Sequence, residues 1–279
     1  MKFRLAFCLV ATSIFGGADF CLAAPDQRRL DTALVQAVDE GNVALTKSLL
    51  ATGASANASG DSGERPLVIA SSINLSPDQE GFPHSFELFR LLLSRGANVN
   101  LADGSGTTAL MGVSSVGEVR AAKLLLAKGA NVNAKDHDGQ TALMRAASSD
   151  IEIVKFLVSK GAIVNAKANA GMTALMLAAY STREGGNYTS PEIVRYLLAK
   201  DARVNATDKN GKTALIYATM LNKYDYNEGL LDTIKALIAK GADVNARTNN
   251  GNTPLKWAKA NGNPKVIRLL QNAGARSIK

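Results

Sequence analysis

The apolar residues of this chain fall into short clusters separated by polar turn residues, a pattern seen most plainly in residues 136–167. Asp136-His137-Asp138-Gly139 has the composition of a turn, with Gly139 free to take a positive φ. Thr141 is placed to cap a helix whose apolar residues are Ala142, Leu143, Met144, Ala146 and Ala147, most of them small enough to allow close approach. Asp150 is placed to cap a second helix carrying Ile151, Ile153, Val154, Phe156, Leu157 and Val158. That set covers more than one helical stripe, so it predicts burial on several sides. Lys160 suits the negative helix end, and Gly161 supplies a left-handed cap. Ser190-Pro191-Glu192 and Asn263-Pro264 predict second helices that start the same way, with a cap residue before Pro at the first helical position. Helices of about 8 to 11 residues seldom persist alone in water, so their order must come from stacking on neighbours.

The pattern recurs along the chain. GASANA starts at Gly53, GANVNL at Gly96, GANVNA at Gly129, GAIVNA at Gly161, DARVNA at Asp201 and GADVNA at Gly241, and a degenerate GARSIK starts at Gly274. Successive starts lie 43, 33, 32, 40, 40 and 33 residues apart. A second string follows each of the first six by about a dozen residues. It reads RPLV from Arg65, TALM from Thr108, Thr141 and Thr173, TALI from Thr213 and TPLK from Thr253. Two strings in register at a basic spacing near 33 resemble the ankyrin repeat over roughly residues 27–279.

The resemblance implies an all-α repeat solenoid of about seven repeats, each a helix-turn-helix plus hairpin loop, in a curved array. The repeats are expected at about 27–59, 60–102, 103–135, 136–167, 168–207, 208–247 and 248–279, within a domain covering 24–279. Three features depart from the family's pattern. The His usual at the fourth place of the second string is replaced by Val68, Met111, Met144, Met176, Ile216 and Lys256, so Met is expected to fill that space. Asp201 stands where glycine caps the other helices. Three units are lengthened between their helices, at about 74–84, 182–189 and 222–229.

Residues 1–23 read as a signal peptide. Lys2 and Arg4 precede an apolar run from Leu5 to Phe15, and small residues follow at Cys21, Ala23 and Ala24. The run is about half the roughly 20 residues of a membrane span. Cleavage after Ala23 makes Ala24 the first mature residue and leaves Pro25 clear of the scissile bond. Phe7 and Phe20 precede the cysteines where a lipobox would need a small residue. Cys8 and Cys21 both leave with the signal, so no disulfide, thiolate nucleophile or Cys-ligated metal is expected in the mature chain. Of four N-x-S/T sequons, those at Asn57 and Asn205 fall at the repeating Asn of the first string. A periplasmic or secreted location follows from these features.

Loss of two cations and one anion with the signal takes the formal charge from +8 to +7. Much of the excess has a structural use: Arg95, Lys128, Lys160, Lys200 and Lys240 all sit at second-helix C-termini. An acidic protein surface suits the remainder better than nucleic acid, which an exported protein rarely meets. His84 and His137 lie in different repeats without partners at metal-ligand spacing, and turn chemistry accounts for Asp136-His137-Asp138. No phosphate-binding, dinucleotide or nucleophile-elbow string is present. Neither catalysis nor a cofactor or metal is expected.

The resemblance implies protein binding through hairpin tips and first helices. Carried over repeat by repeat, it points to His137, Asp138 and Gln140, then to Asn169, Met172 and Tyr180, then to Lys209, Asn210 and Lys212. The insertions add Tyr188, Tyr224 and Tyr226, a residue type favoured at interfaces. Exported proteins of this look resemble accessory factors of secreted enzymes such as catalase, or of toxins. The expectation is a monomeric scaffold for another exported protein; the alternative is an envelope-associated structural protein, or one that binds a solute or an acidic polymer.

Overall fold

Threonine starts the first helix of a repeat by lending its hydroxyl to the backbone. In a computed structural model that describes residues 26–72, 85–180, 190–221 and 228–276, the N–H groups of Met144, Met176, Ile216 and Lys256 donate to the hydroxyls of Thr141, Thr173, Thr213 and Thr253 at 3.4, 3.3, 3.3 and 3.2 Å. Each thus satisfies one of the orphan donors at a helix start. The second helices open on Asp150, Ser190 and Asn263, which accept from the N–H groups of Glu152, Ile193 and Val266.

Fourteen helices in seven pairs result among the described residues. They are α1 (Gln27–Asp39) with α2 (Val43–Thr52), α3 (Pro66–Ser72) with α4 (Ser85–Ser94), α5 (Ala109–Val116) with α6 (Val119–Ala127), and α7 (Ala142–Ala146) with α8 (Ile151–Ser159). There follow α9 (Ala174–Ala179) with α10 (Pro191–Ala199), α11 (Ala214–Thr219) with α12 (Glu228–Ala239), and α13 (Pro254–Ala260) with α14 (Pro264–Asn272). An isolated bridge between Ala102 and Thr108 is the only β pairing among the described residues. This is the all-α repeat solenoid that the strings predict.

Two compact units share these helices. One runs to Val113 and includes Lys123–Ala130; the other comprises Ser114–Ala122 and Asn131 onward. In the first unit α1 packs on α3 and α2 on α4. In the second, the first helices stack as α7, α9, α11 and α13, and the second helices as α8, α10, α12 and α14.

Several first helices are shorter than expected. α7 has 5 residues and α9 and α11 have 6, far below what an isolated helix needs. They persist because nearly every side chain is buried: Ala142, Leu143, Met144 and Ala146 of α7 are all at most 2 % exposed. The second helices use a narrower face than the full apolar set of α8 suggests. Ile153, Val154 and Leu157 are fully buried, whereas Ile151, Phe156 and Val158 are only half-buried. Met111, Met144 and Met176 fill the place of the missing histidine inside the core, joined by Val68 and Ile216, while Lys256 is exposed. Of the lengthened segments, the third ends two residues early, because Glu228 and Gly229 already belong to α12. The rest of all three lies outside the described residues.

The asparagine that ends each G-x-x-V-N string ties its repeat to the next. In the second unit the Asn165 amide donates to the Asp201 carbonyl at 2.9 Å while its oxygen accepts the Arg203 N–H at 2.8 Å. Asn133 does the same with Gly161 and Ile163, Asn205 with Gly241 and Asp243, and Asn245 with Gly274 and Arg276. In the first unit Asn57 pairs with Gly96 and Asn98, and Asn100 donates to Gly129. The sequon residues Asn57 and Asn205 therefore have their amides committed to the frame.

The carbonyl that each Asn reaches belongs to the residue just past a second helix. That residue takes a left-handed backbone: Gly161 has φ +87°, and Asp201, at φ +60°, is the one non-glycine with positive φ among the described residues. Replacing Asn165 with Ala should cost about 1–2 kcal/mol for the two lost hydrogen bonds and raise hydrogen exchange in both flanking repeats; a loss confined to one repeat would argue against the linkage. Asp201→Gly should raise stability by about 0.5–1 kcal/mol, since strain at a left-handed L-residue exceeds the entropy lost by glycine. Urea denaturation of both variants measures these differences.

Candidate binding site on the hairpin tips

Aspartate organises the hairpins from inside. In the fourth repeat the Asp136 N–H donates to the Gln140 carbonyl at 3.0 Å, and its Oδ1 accepts the N–H groups of Asp138 and Gln140 at 3.0 and 2.8 Å. Asp208 builds the sixth repeat's tip identically, accepting from Asn210 and Lys212 at 2.8 and 2.7 Å. A short polar side chain that mimics a turn's hydrogen bonds fixes the loop without a regular element.

The second carboxylate oxygen reaches into the first helix. Asp136 Oδ2 meets Arg145 at 2.8 Å, and Asp208 Oδ2 accepts the Tyr217 hydroxyl at 2.7 Å. Both aspartates are 7 % exposed, and both partners lie nine residues further along. Burial, then the hydrogen bond to Asp208, pushes the Tyr217 phenol well above its ordinary value. The Tyr180 ring meets the Tyr217 ring edge-on at 5.3 Å between centroids, and the Lys212 ammonium lies 5.4 Å over the same ring.

Neighbouring tips are stitched together by their backbones. The Asn169 N–H donates to the Asp138 carbonyl at 2.8 Å, Lys209 N–H to Ala170 at 2.9 Å and Asn249 N–H to Asn210 at 2.9 Å. The Asn169 amide adds a bond to the His137 carbonyl at 2.7 Å. Lysine supplies further ties, since Lys135 Nζ donates to the Lys167 carbonyl and Lys167 Nζ to that of Thr207.

The predicted site residues divide by what the frame demands of them. His137, Asp138, Lys209 and Asn210 stand exposed on the tips. Tyr180, at 39 %, is one of the few large apolar side chains left open among the described residues. Gln140, Met172 and Lys212 are half-buried, and the exposed Asn169 holds the adjacent turn with its amide. Tyr217 brings Tyr180 and Lys212 together. Tyr188, Tyr224 and Tyr226 lie outside the described residues. Sequence reasoning missed Asp136, Arg145, Asp208 and Tyr217 as a set; the available signal was an Asp followed nine residues later by a large polar-tipped side chain.

A frame of capped helix pairs joined by hydrogen-bonded hairpins defines a helical repeat protein. The model for "Ankyrin repeats (3 copies)" matches residues 80–168, 136–208 and 164–232, and that for "Ankyrin repeats (many copies)" matches 227–271. These matches span more than half of the chain, which therefore belongs to the ankyrin repeat family. Ankyrin repeats generally mediate protein–protein interaction. No curated protein matches the chain. Among the described residues no helix is long and apolar enough to cross a membrane.

Tyr217 gives the fold an alkaline limit. Its folded pKa lies above its ordinary value of 10.0, so this stabilisation is whole below pH 10 and declines as pH rises further, because the unfolded chain releases the proton first. Tyr217→Phe should cost about 1–3 kcal/mol at neutral pH by leaving the Asp208 oxygen buried without its donor. It should also flatten the fall of Tm above pH 10, read by circular dichroism.

Proposed function

We propose that the protein is a non-catalytic interaction module that holds or regulates another exported protein through the hairpin tips and first helices of repeats four to six. One observation supports this reading above others. The backbone of the tips and the carboxylates of Asp136 and Asp208 are consumed by the frame, while His137, Asp138, Lys209, Asn210 and Tyr180 remain open and differ from repeat to repeat. A rigid mount with variable exposed side chains is what recognition needs. The exposed Tyr180, backed by Tyr217, is a rigid aromatic anchor of the kind that dominates interfaces.

Export rests on the charged, apolar and small-residue order of residues 1–24. A secreted enzyme such as catalase, or a toxin, is the kind of partner such a module serves. The net positive charge supports a second reading, in which the protein is an envelope component binding an acidic polymer or solute.

Capture experiments with the mature chain from Ala24, run in periplasmic extract at rising salt, separate these readings. A protein partner held through Tyr180 should stay bound at about 0.5 M salt, where exposed charges are screened within a few ångströms, and should be lost with the paired variant Tyr180→Ala, Lys209→Ala. Release by salt alone would favour the acidic-polymer reading. A captured set indifferent to the variant would remove the tips from consideration, and an exported protein whose N-terminus is not Ala24 would refute the cleavage site.

A further inference from the structure

Three successive second helices, α8, α10 and α12, each carry both signs of charge. Where α10 meets α12, Arg195 pairs with Asp232 at 3.0 Å and Lys235 shares the same carboxylate at 3.3 Å. These two hydrogen bonds, Lys235 first, hold Asp232 below the usual carboxylate range. On α8, Lys155 is matched by Glu152 at 2.8 Å and also feels Glu192 of α10. Helix α14 has no acidic residue at all, and it packs on α12.

Between them lies an open groove of about 380 Å³ lined by Leu231, Lys235, Pro264, Lys265, Arg268, Leu269 and Asn272. Leu231 and Lys235 share one face of α12, and Lys265, Arg268, Leu269 and Asn272 one face of α14, by three- and four-residue spacing. Neither Lys265 nor Arg268 has an ion-pair partner among the described residues, and the Asp232 carboxylate of α12 already serves two other cations.

We propose that this groove is a second docking site, for an acidic amphipathic segment of a partner protein that places leucine-like side chains on Leu231, Pro264 and Leu269 and carboxylates against Lys265 and Arg268. The unmatched cations supply the complementarity, steering an acidic segment in and setting its register. The half-buried leucines supply the apolar floor. A membrane surface fits less well, because insertion needs protruding apolar side chains, whereas Leu231 and Leu269 sit within the groove and the large apolar residues exposed among the described residues, Val116, Ile163 and Tyr180, are elsewhere. The site is separate from the hairpin tips and does not depend on their role.

The test uses the full mature chain and a dye-labelled synthetic peptide of Leu, Ala and Glu, with Leu and Glu on one helical face. Fluorescence anisotropy should show binding at physiological salt that falls about tenfold or more in the paired variant K265E/R268E and several-fold in Leu269→Ala. The tip variant Lys209→Glu should leave it unchanged, and a counterpart peptide with Lys in place of Glu should not bind. Circular dichroism checks that each variant keeps the wild-type helix content and Tm. No binding by the wild-type chain, or equal binding by the charge-reversed variant, overturns the proposal. So does binding of phosphatidylglycerol vesicles without binding of the peptide, which would assign the groove to a membrane surface. Loss of tip-dependent capture with groove binding intact would sink only the tip reading.

Discussion

Within each compact unit, successive repeats are tied by an asparagine amide, two-pronged at Asn57, Asn133, Asn165, Asn205 and Asn245. The asparagine side chain donates to a carbonyl just beyond the next second helix and accepts an N–H two residues further on, as Asn165 does with Asp201 and Arg203. That carbonyl belongs to the left-handed residue that follows the helix cap, so one side chain satisfies a loop carbonyl and fixes the spacing of two repeats at once. Helices of five or six residues can exist only because such links, and the burial of small first-helix side chains, hold them in place. The constraint also dictates backbone geometry. The carbonyl is presented correctly only when its residue is left-handed, which is why glycine dominates there and why Asp201 tolerates an unfavourable φ.

The hairpins obey a related economy. A buried aspartate closes the turn through one oxygen and grips the first helix through the other, with Arg145 in one repeat and Tyr217 in another. Fixing the loop from within leaves outward side chains such as those of His137 and Lys209 without a part in closing the turn. Variation at His137 or Lys209 therefore carries little penalty for the fold, and the same surface becomes available for recognition. The second helices α8, α10 and α12 show the opposite arrangement, in which carboxylates and cations pair with one another, whereas α14 supplies only cations.

Much of the fold was legible because its signals are local. Thr141, Thr173, Thr213 and Thr253 start helices within four residues of themselves, and Asp150, Ser190 and Asn263 do likewise. The candidate site was legible only in part. The open tip positions could be found from where the strings vary. Tyr217 could not, because its place in the TALI helix reads as core, and it is indeed 7 % exposed. Asn169 looked like a free surface residue, but its amide belongs to the preceding hairpin.

The sequence by itself determined the repeat unit, its caps, its turns and the family, since each depends on residues a few positions apart whose chemistry is fixed by the backbone they sit on. Only the tertiary structure decided which asparagine amide meets which carbonyl, at separations of 28 to 39 residues, which aspartates face an arginine or a phenol, and which cations are left without partners. Those outcomes depend on how one helix pair lies on the next, and a one-dimensional pattern records the units without recording the distances between them.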